Sequence, residues 1–292
     1  GWVAEDNAER IDNTDGDAFK EGDYYFGGED DGAMTTGWLQ MDITYDEATN
    51  DYEIAPVFNE DEDQTRWFYF KSNGKKIFAE DGDRTKDKTI NGKKYAFDEY
   101  GAMVAEWSLD EDDEKKASDT EAQEAASTAS TSEAWEGNGK YAKYTQAWKY
   151  YNSVEDGSRV SKGWFKVVAP TEDNSFLESD ATFATKDSGD ESERWYYSDS
   201  KDDGLVVGEI KKIKGKYYGF APEGNKAGSM LTGLCALEMD TTDGAKIDTV
   251  LFDDMNSDDL DDFMDNVDAG AYKDRNVYLY YFGDRYLPVL LR

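Results

Sequence analysis

The side chains of this chain that could do chemistry are aromatic and acidic. The 292 residues include 20 tyrosines, 14 phenylalanines, 8 tryptophans and 66 acidic residues, but no histidine and a single cysteine, Cys235. A chain without histidine cannot assemble a Ser-His-Asp or Cys-His nucleophile. A pair of carboxylates, as in glycosidases, is the remaining enzyme alternative. Because so many acids place a pair together by chance, and none lies in a recognisable enzyme motif, we predict no catalytic residue and a protein that is not an enzyme.

Charge and composition exclude several partners. The formal net charge of −34 repels phosphate backbones, so we predict no nucleic-acid partner. The acidic runs 12–17 and 253–259 superficially resemble calcium loops, but neither has the glycine and glutamate spacing of an EF-hand. We therefore predict no metal site and no cofactor. No run approaches the roughly 20 apolar residues of a membrane-spanning helix, so we predict no membrane insertion.

The aromatic residues recur in one pattern: a short aromatic strand, an acidic turn with glycine, and a Gly-Trp that starts the next unit. Residues 24–26, 37–38 and 67–70 show it most fully. A repeat of short hairpins buries its core by stacking on neighbouring hairpins. We therefore predict an all-β fold, a repeat solenoid of short aromatic β-hairpins. The chain itself opens on a copy of the Gly-Trp, so we expect it to have been trimmed, and the lack of a signal segment is uninformative.

Local patterns within the hairpins support this fold. Asn73-Gly74, Asn91-Gly92 and Asp156-Gly157 are dipeptides favoured in tight hairpin turns. Side chains alternate along a strand, so Trp67 and Tyr69 face one way while the phenylalanines between and after them face the other. One face can pack in a core while the other stays available for a ligand.

A larger repeat divides the chain. Trp164 follows Trp38 by 126 residues, and Trp195 follows Trp67 by 128, which indicates two copies of one block of hairpins. An acidic stretch rich in Ala, Ser and Thr separates the two blocks, and its composition is typical of a solvated linker. The predicted domains are a first block of hairpin repeats at 1–107, the linker at 108–134, a second block at 135–234 and a mixed C-terminal segment with a further aromatic hairpin at 235–292.

A small helical insertion is predicted in the C-terminal segment. Leu260, Phe263 and Val267 lie near helical spacing, and Ser257 precedes two aspartates as the expected N-cap. A strand-like aromatic run at 277–282 follows and is interpreted as part of the further hairpin.

The repeats resemble the choline-binding, cell-wall-binding repeats of Gram-positive surface proteins and phage lysins. The resemblance lies in Gly32-Ala33-Met34-Thr35-Thr36-Gly37-Trp38, Gly228-Ser229-Met230-Leu231-Thr232-Gly233-Leu234 and Asn91-Gly92-Lys93-Lys94-Tyr95-Ala96-Phe97. It covers most of residues 1–234 and extends to glucan-binding repeats and the carbohydrate-binding repeats of clostridial toxins. The resemblance therefore implies a fold more strongly than it implies one ligand.

In that family the ligand sits between consecutive hairpins, held by the Trp of one Gly-Trp and by the Trp and Tyr of the next aromatic strand. A quaternary ammonium cannot donate hydrogen bonds, so ring faces hold it through cation–π contacts of roughly 0.5–2 kcal/mol each. We use "junction" for each such meeting of rings, named by its Gly-Trp tryptophan. The resemblance implies two complete junctions, with ligand-binding residues Trp38, Trp67 and Tyr69 in one and Trp164, Trp195 and Tyr197 in the other.

Two further junctions are less complete. Trp2 would meet Tyr25, but Asp23 stands where a tryptophan is expected. Trp107 would meet Trp148, but aligning the tyrosines puts Lys149 at the tryptophan position, and the linker interrupts the pair.

The resemblance implies a non-catalytic module of a secreted, cell-wall-associated extracellular protein, binding choline-decorated teichoic acid through aromatic cages. One alternative is a carbohydrate-binding module whose partner is a polysaccharide, either a glucan or a host glycan. The other is a degenerate structural spacer or protein-interaction repeat, because the rings of hairpin repeats also form their hydrophobic core. Whether the protein forms a homodimer is left open.

Overall fold

The computed structural model describes most of the chain in segments. These are residues 1–5, 11–14, 18–27, 31–43, 64–80, 85–109, 148–168, 193–199, 204–222 and 227–283. The described residues fall into two compact units, one holding those up to 109 together with 148–160, the other holding those from 161 onward. Most of the predicted linker, from residue 110 to residue 134, lies outside the described residues.

The first unit is a series of antiparallel hairpins with one short helix. Its strands pair as β1 with β2, β3 with β4, β5 with β6, and β7 with β8. The elements are β1 (Trp2–Val3), α1 (Ala18–Glu21), β2 (Tyr24–Tyr25), β3 (Gly37–Ile43), β4 (Gln64–Phe70), β5 (Lys86–Ile90), β6 (Lys93–Phe97), β7 (Glu106–Leu109) and β8 (Trp148–Tyr151).

The second unit continues the hairpins and ends in a larger sheet. Its sheets have the strand orders β11-β10-β9, β12-β13 and β15-β14-β16. The elements are β9 (Gly163–Val168), β10 (Glu193–Asp199), β11 (Gly204–Leu205), β12 (Ile210–Ile213), β13 (Lys216–Gly219), β14 (Gly233–Met239), β15 (Ile247–Phe252), α2 (Ser257–Asp268) and β16 (Val277–Phe282). In the described residues the chain is thus mostly small antiparallel sheets, and the all-β prediction is confirmed.

Tight turns keep the hairpins short. Asn91 and Gly92 connect β5 to β6 with positive φ angles of 49° and 81°. Two consecutive positive φ angles are those of a type I′ turn, whose twist matches that of paired strands. Lys214 and Gly215, with φ angles of 48° and 87°, make the same connection between β12 and β13.

The strands bury one face, as the alternation predicts. On β4 the side chains of Phe68 and Phe70 are 0% and 1% exposed, while Trp67 and Tyr69 are only half-buried. The buried face joins a core with the rings of Trp2 and Phe19. The opposite face of the same strand carries the rings that the sequence assigns to a ligand.

The helix α2 forms where the sequence predicts it, but its cap differs. Asn256, not Ser257, is the N-cap: its side-chain oxygen accepts hydrogen bonds from the N–H groups of Asp258 and Asp259. The Asp259 carboxylate in turn accepts from the N–H of Asn256, completing a capping box. Ser257 is already the first helical residue, so the prediction of its capping role is wrong.

The strand predicted at residues 277–282 is also present, as β16. Within the described residues it pairs antiparallel with β14, which brings Tyr281 opposite Leu234. The core beneath this sheet includes Cys235, a fully buried free cysteine. No helix among the described residues is both long and apolar enough to cross a membrane.

Candidate ligand-binding site

Strand register places each Gly-Trp tryptophan opposite a tyrosine. Trp38 pairs with Tyr69, and Gln40, two residues on, pairs with Trp67. Since side chains two residues apart share a face, Trp38, Trp67 and Tyr69 all project from one face of the β3–β4 hairpin. The same pairing recurs in two other Gly-Trp hairpins, as Trp2 with Tyr25 and Trp164 with Tyr197, and in the hairpin where Glu106 replaces the glycine, as Trp107 with Tyr150.

Trp38 is the centre of a cluster of rings. Its ring centroid lies 5.0 Å from that of Tyr69 and 6.3 Å from that of Trp67, and both contacts are edge-to-face. The next hairpin adds Tyr95 at 5.0 Å and Phe97 at 5.9 Å. Edge-to-face rings do not cover each other, so they leave a corner instead of a closed stack.

That corner is a cavity of about 290 Å³. Its walls are the rings of three residues, a thioether and two acids: Trp38, Trp67, Tyr95, Met103, Glu155 and Asp156. We call the three rings the Trp38 cage. Tyr95 and Met103 are buried, at 8% and 2% exposure, whereas the two tryptophans are half-buried. The two buried residues therefore form the inner wall of the cavity, and the two tryptophans keep part of their ring surface accessible to solvent.

The two acids come from the turn after β8. Trp67 donates a hydrogen bond from Nε1 to Oε2 of Glu155 at 3.5 Å. Asp156 lies 3.1 Å from the ammonium of Lys93. Partial burial raises the pKa of Asp156, but hydrogen bonds from Lys93 and Ser158 outweigh it and hold the pKa below its ordinary value. Two carboxylates therefore stand beside the cage.

Met103 is held in place by the backbone of the preceding hairpin. Its N–H donates to the carbonyl of Trp67 at 2.8 Å. The glycine of the acidic turn, Gly157, has φ +57°, and a Cβ there would collide with the Met103 side chain. A residue without a side chain thus lets the turn that carries the acids approach the thioether.

The second unit repeats the ring cluster by itself. The Trp164 ring lies 6.4 Å from Trp195, 5.0 Å from Tyr197 and 4.8 Å from Tyr218. Met230 donates its N–H to the carbonyl of Trp195 at 2.7 Å, as Met103 does to Trp67. The chain after residue 283 lies outside the described residues, so any counterpart of the acidic turn after β16 is not described.

The two less complete junctions have different surroundings. Trp2 stands 5.2 Å from Tyr25, as predicted, but it is only 6% exposed and packs on Phe68 and Phe70. Trp107 contacts Tyr150 at 5.1 Å. The side chain of Trp148 lies outside the described residues.

The register corrects one alignment in the Trp107 junction. Trp107 pairs with Tyr150 and Leu109 pairs with Trp148, which is the relation of Trp38 to Tyr69 and of Gln40 to Trp67. Trp148 therefore stands at the tryptophan position, and the assignment of Lys149 to that position is wrong. Aligning on adjacent tyrosines fails because a shift of one residue moves a side chain to the other face.

Sequence reasoning missed four of the residues that line the cavity. Tyr95 and Met103 had a signal, because they occupy the aromatic strand and the Gly-x-Met run of the next unit. Glu155 and Asp156 had no signal beyond the Asp156-Gly157 turn, because Glu155 is 88 residues from Trp67 in sequence and meets it only in the folded chain. Tyr69, which the sequence places in the site, contacts Trp38 and Phe97 and is not among the residues lining the cavity.

The fold and the cavity define a protein of aromatic hairpin repeats that pair rings between hairpins. No protein-family model and no curated protein matches the sequence. Among solved structures the chain is similar to choline binding protein F from Streptococcus pneumoniae, at 18% identity, with 84% of this chain and 51% of that chain covered and a TM-score of 0.37.

Two further solved structures belong to modular wall enzymes. The autolysin LytC from Streptococcus pneumoniae, in complex with a synthetic peptidoglycan ligand, matches at 16% identity over 92% of this chain and 42% of that chain, with a TM-score of 0.31. The endolysin from phage Cp-1, complexed with choline, matches at 18% identity over 66% and 31%, with a TM-score of 0.23. The solved structures similar to this chain thus include choline-binding proteins, the family that the sequence resemblance names, and this chain spans about half of choline binding protein F and less of the two enzymes.

Proposed function

We propose that this chain is a non-catalytic attachment module that binds choline. The cage of Trp38, Trp67 and Tyr95, with two carboxylates at its side, is the observation that carries the proposal. The proposal includes a solenoid arrangement of the hairpins and the four predicted segments, with a secreted, cell-wall-associated protein as their setting. Its natural partner would be choline-decorated teichoic acid of a Gram-positive wall.

The chemistry of the cavity favours a quaternary ammonium. Its aromatic walls attract a cation and also accept the methyl groups that surround the charge, with each ring contributing roughly 0.5–2 kcal/mol. Glu155 adds negative charge beside the rings, whereas the charge of Asp156 is balanced by the ammonium of Lys93. A methylated ammonium needs no hydrogen-bond acceptor, so a cavity lined mostly by rings and a thioether satisfies it.

The acids distinguish choline from a neutral sugar. A sugar stacks on an exposed aromatic face and can donate hydroxyl hydrogen bonds to the carboxylates, but it carries no positive charge for them to attract. The chain carries a formal charge of −34, which also raises the local concentration of a cationic ligand at low ionic strength. The choline hypothesis therefore uses the negative charge of the cavity and of the whole chain, which a neutral glycan would not.

Calorimetric titration with choline and with its neutral isostere 3,3-dimethylbutan-1-ol tests the proposal. The two molecules have the same shape and differ in charge, so we expect saturable choline binding and affinity about tenfold weaker for the isostere, about 1.4 kcal/mol. A glucan oligosaccharide is the third ligand. Binding of the oligosaccharide without choline would favour the carbohydrate module, and no response to any of the three would favour the structural spacer.

A further inference from the structure

One backbone hydrogen bond recurs between successive hairpins of each unit. The N–H of a residue just after an aromatic strand donates to the carbonyl at the Trp67 position of the preceding hairpin. Met103 donates to Trp67, and Met230 to Trp195, at 2.8 and 2.7 Å. The same bond joins Lys76 to Asp23 at 2.7 Å and Arg159 to Lys94 at 2.8 Å. We call Met103, Met230, Lys76 and Arg159 the junction residues, because this bond puts them in equivalent places.

In the Trp2 junction the junction residue fills the space beside the tryptophan. The Lys76 amine lies 5.0 Å from the centroid of the Trp2 ring and 5.8 Å from that of Phe78. It donates a hydrogen bond to the carbonyl of Phe19 at 2.5 Å. Lys76 is only 2% exposed. The ring that corresponds to Trp38 is therefore already in contact with a basic group of the same chain.

In a second junction a basic residue also stands where the ring-rich junctions have methionine. Asp87, opposite Ala96, stands where Trp38 stands in its own hairpin, and Lys94 stands where Trp67 does. The junction residue there is Arg159, whose guanidinium lies 3.5 Å from the Asp87 carboxylate and whose side chain is 1% exposed. Of the four junctions joined by this bond, the two that lack the strand tryptophan bury a basic side chain where the two ring-rich junctions carry methionine.

We propose that the junction residue decides whether a junction accepts an external cation: methionine leaves the cage open, and lysine or arginine closes it with the chain's own basic group. Lys76 and Arg159 are then internal occupants, and Met103 and Met230 are the specificity-determining residues of the two open junctions. A Met and a Lys side chain have similar lengths and apolar stems, so the exchange changes the terminal group more than the packing. This inference rests on the proposed function for its ligand, though the internal occupant is observable without any ligand.

The test exchanges junction residues and follows choline binding. Met230→Lys is the first variant because Met230 is only partly buried, which favours folding, and Met103→Lys is the second. Met230→Leu and Met103→Leu are the matched controls, since they keep an apolar group of similar volume. We expect each lysine variant to weaken choline binding at its own junction at least about tenfold, and each leucine variant to change it less than about threefold.

A second readout needs no choline. Protons above an aromatic ring are shifted upfield, so the ε-methylene protons of Lys76 should appear upfield in NMR spectra of the wild-type protein and vanish in Lys76→Met. The lysine introduced in Met230→Lys should show the same upfield shift from Trp164. Lysine ε-protons at ordinary positions in these proteins would overturn the inference.

The two readouts separate this inference from the proposed function. Choline binding that survives unchanged in Met230→Lys overturns the inference and leaves the proposed function standing. A wild-type protein that does not bind choline overturns the proposed function. In that case the upfield shift of the introduced lysine still decides whether a basic junction residue occupies the rings.

Discussion

The ring of Trp38 stands at 90° to the ring of Trp67, with 6.3 Å between their centroids. Trp164 and Trp195 repeat this relation at 85° and 6.4 Å in a separate unit. The angle is therefore a property of the repeat and not of one local environment. Perpendicular rings keep free surface that a stacked pair would lose, and the proposed ligand needs that surface.

The two faces of β4 should respond differently to truncation. We expect Trp67→Ala to weaken choline binding at the Trp38 junction at least about tenfold while the unit stays folded, because Trp67 is half-buried at the edge of the cavity. Phe68→Ala, one residue away on the buried face, should instead cost about 3–5 kcal/mol of stability. Calorimetry and urea unfolding measure the two effects. Unfolding of Trp67→Ala as severe as that of Phe68→Ala would favour a purely structural role for the rings.

The charge of Glu155 should contribute to cation affinity. We expect Glu155→Gln to weaken choline binding about threefold, the size of an exposed charge interaction of about 0.7 kcal/mol, and to leave the neutral isostere unaffected. The loss should shrink as salt is added, because salt screens exposed charges. Glu80→Gln makes the same change in net charge at an exposed residue that does not line the cavity. Equal losses in both variants would assign the effect to overall charge.

Gly157 should be required for the cage through its contact with Met103. Gly157→Ala places a Cβ against the Met103 side chain and also strains a backbone at φ +57°. Gly92→Ala is the matched control, since it has φ +81° but no atom within 4 Å of the added carbon. We expect Gly157→Ala to lose about 1–3 kcal/mol more stability than Gly92→Ala, the usual cost of overpacking, and to weaken choline binding. Urea unfolding of both variants gives the comparison. Equal losses of stability would show that the Met103 side chain moves aside without destabilising the fold.

Stability of the first unit should rise with pH above neutrality. Burial lowers the pKa of Lys76 to about 7, while Asp98 and Asp23 act in the opposite direction. An unfolded chain keeps the ordinary lysine pKa of about 10.4, so above about pH 7 it binds more protons than the folded protein does, and raising the pH favours folding. The slope is at most about 1.4 kcal/mol per pH unit.

Urea unfolding between about pH 7 and pH 9 measures this slope. Lys76→Met should flatten it, because the variant has no amine to titrate. Lys93→Met is the control: Lys93 is exposed, and its hydrogen bond to Asp156 raises its pKa, so its removal should leave the slope intact. A slope that persists unchanged in Lys76→Met would contradict the prediction.

The cap of α2 gives a test in the second unit. We expect Asn256→Ala to cost about 1 kcal/mol, because it removes the acceptor for two N–H groups at the start of the helix. Ser257→Ala should cost little, since the Ser257 hydroxyl accepts neither of those bonds. Thermal unfolding of the two variants compares them directly, and a larger loss for Ser257→Ala would contradict the observed cap.

Much of the local structure could be predicted from residue types and short spacings. The Asn91-Gly92 turn, the two faces of β4 and the strand at 277–282 follow from positive φ, side-chain alternation and aromatic content. The pairing of Trp38 with Tyr69 follows from the same alternation across a hairpin. Each of these depends on neighbours in sequence or on one hairpin, where few arrangements satisfy the backbone.

Errors arose where one residue of offset changes the outcome. Trp148, not Lys149, holds the tryptophan position, and Asn256, not Ser257, caps α2. In both places two adjacent residues compete for one role: Tyr150 and Tyr151 as the partner of Trp107, and Asn256 and Ser257 as the cap. Only the hydrogen-bond register selects between them, and a pattern of residue types does not contain it.

The sequence by itself determines which residue types can meet at a junction. These are two tryptophans with methionine, or an acid with a basic residue. Which of them enclose a space was decided by tertiary packing. Trp67 meets Glu155 across 88 residues, and Lys76 meets Phe19 across 57, because stacked hairpins bring distant turns together. Such contacts depend on how each hairpin buries its apolar face against the next, and that burial is a property of the folded unit as a whole.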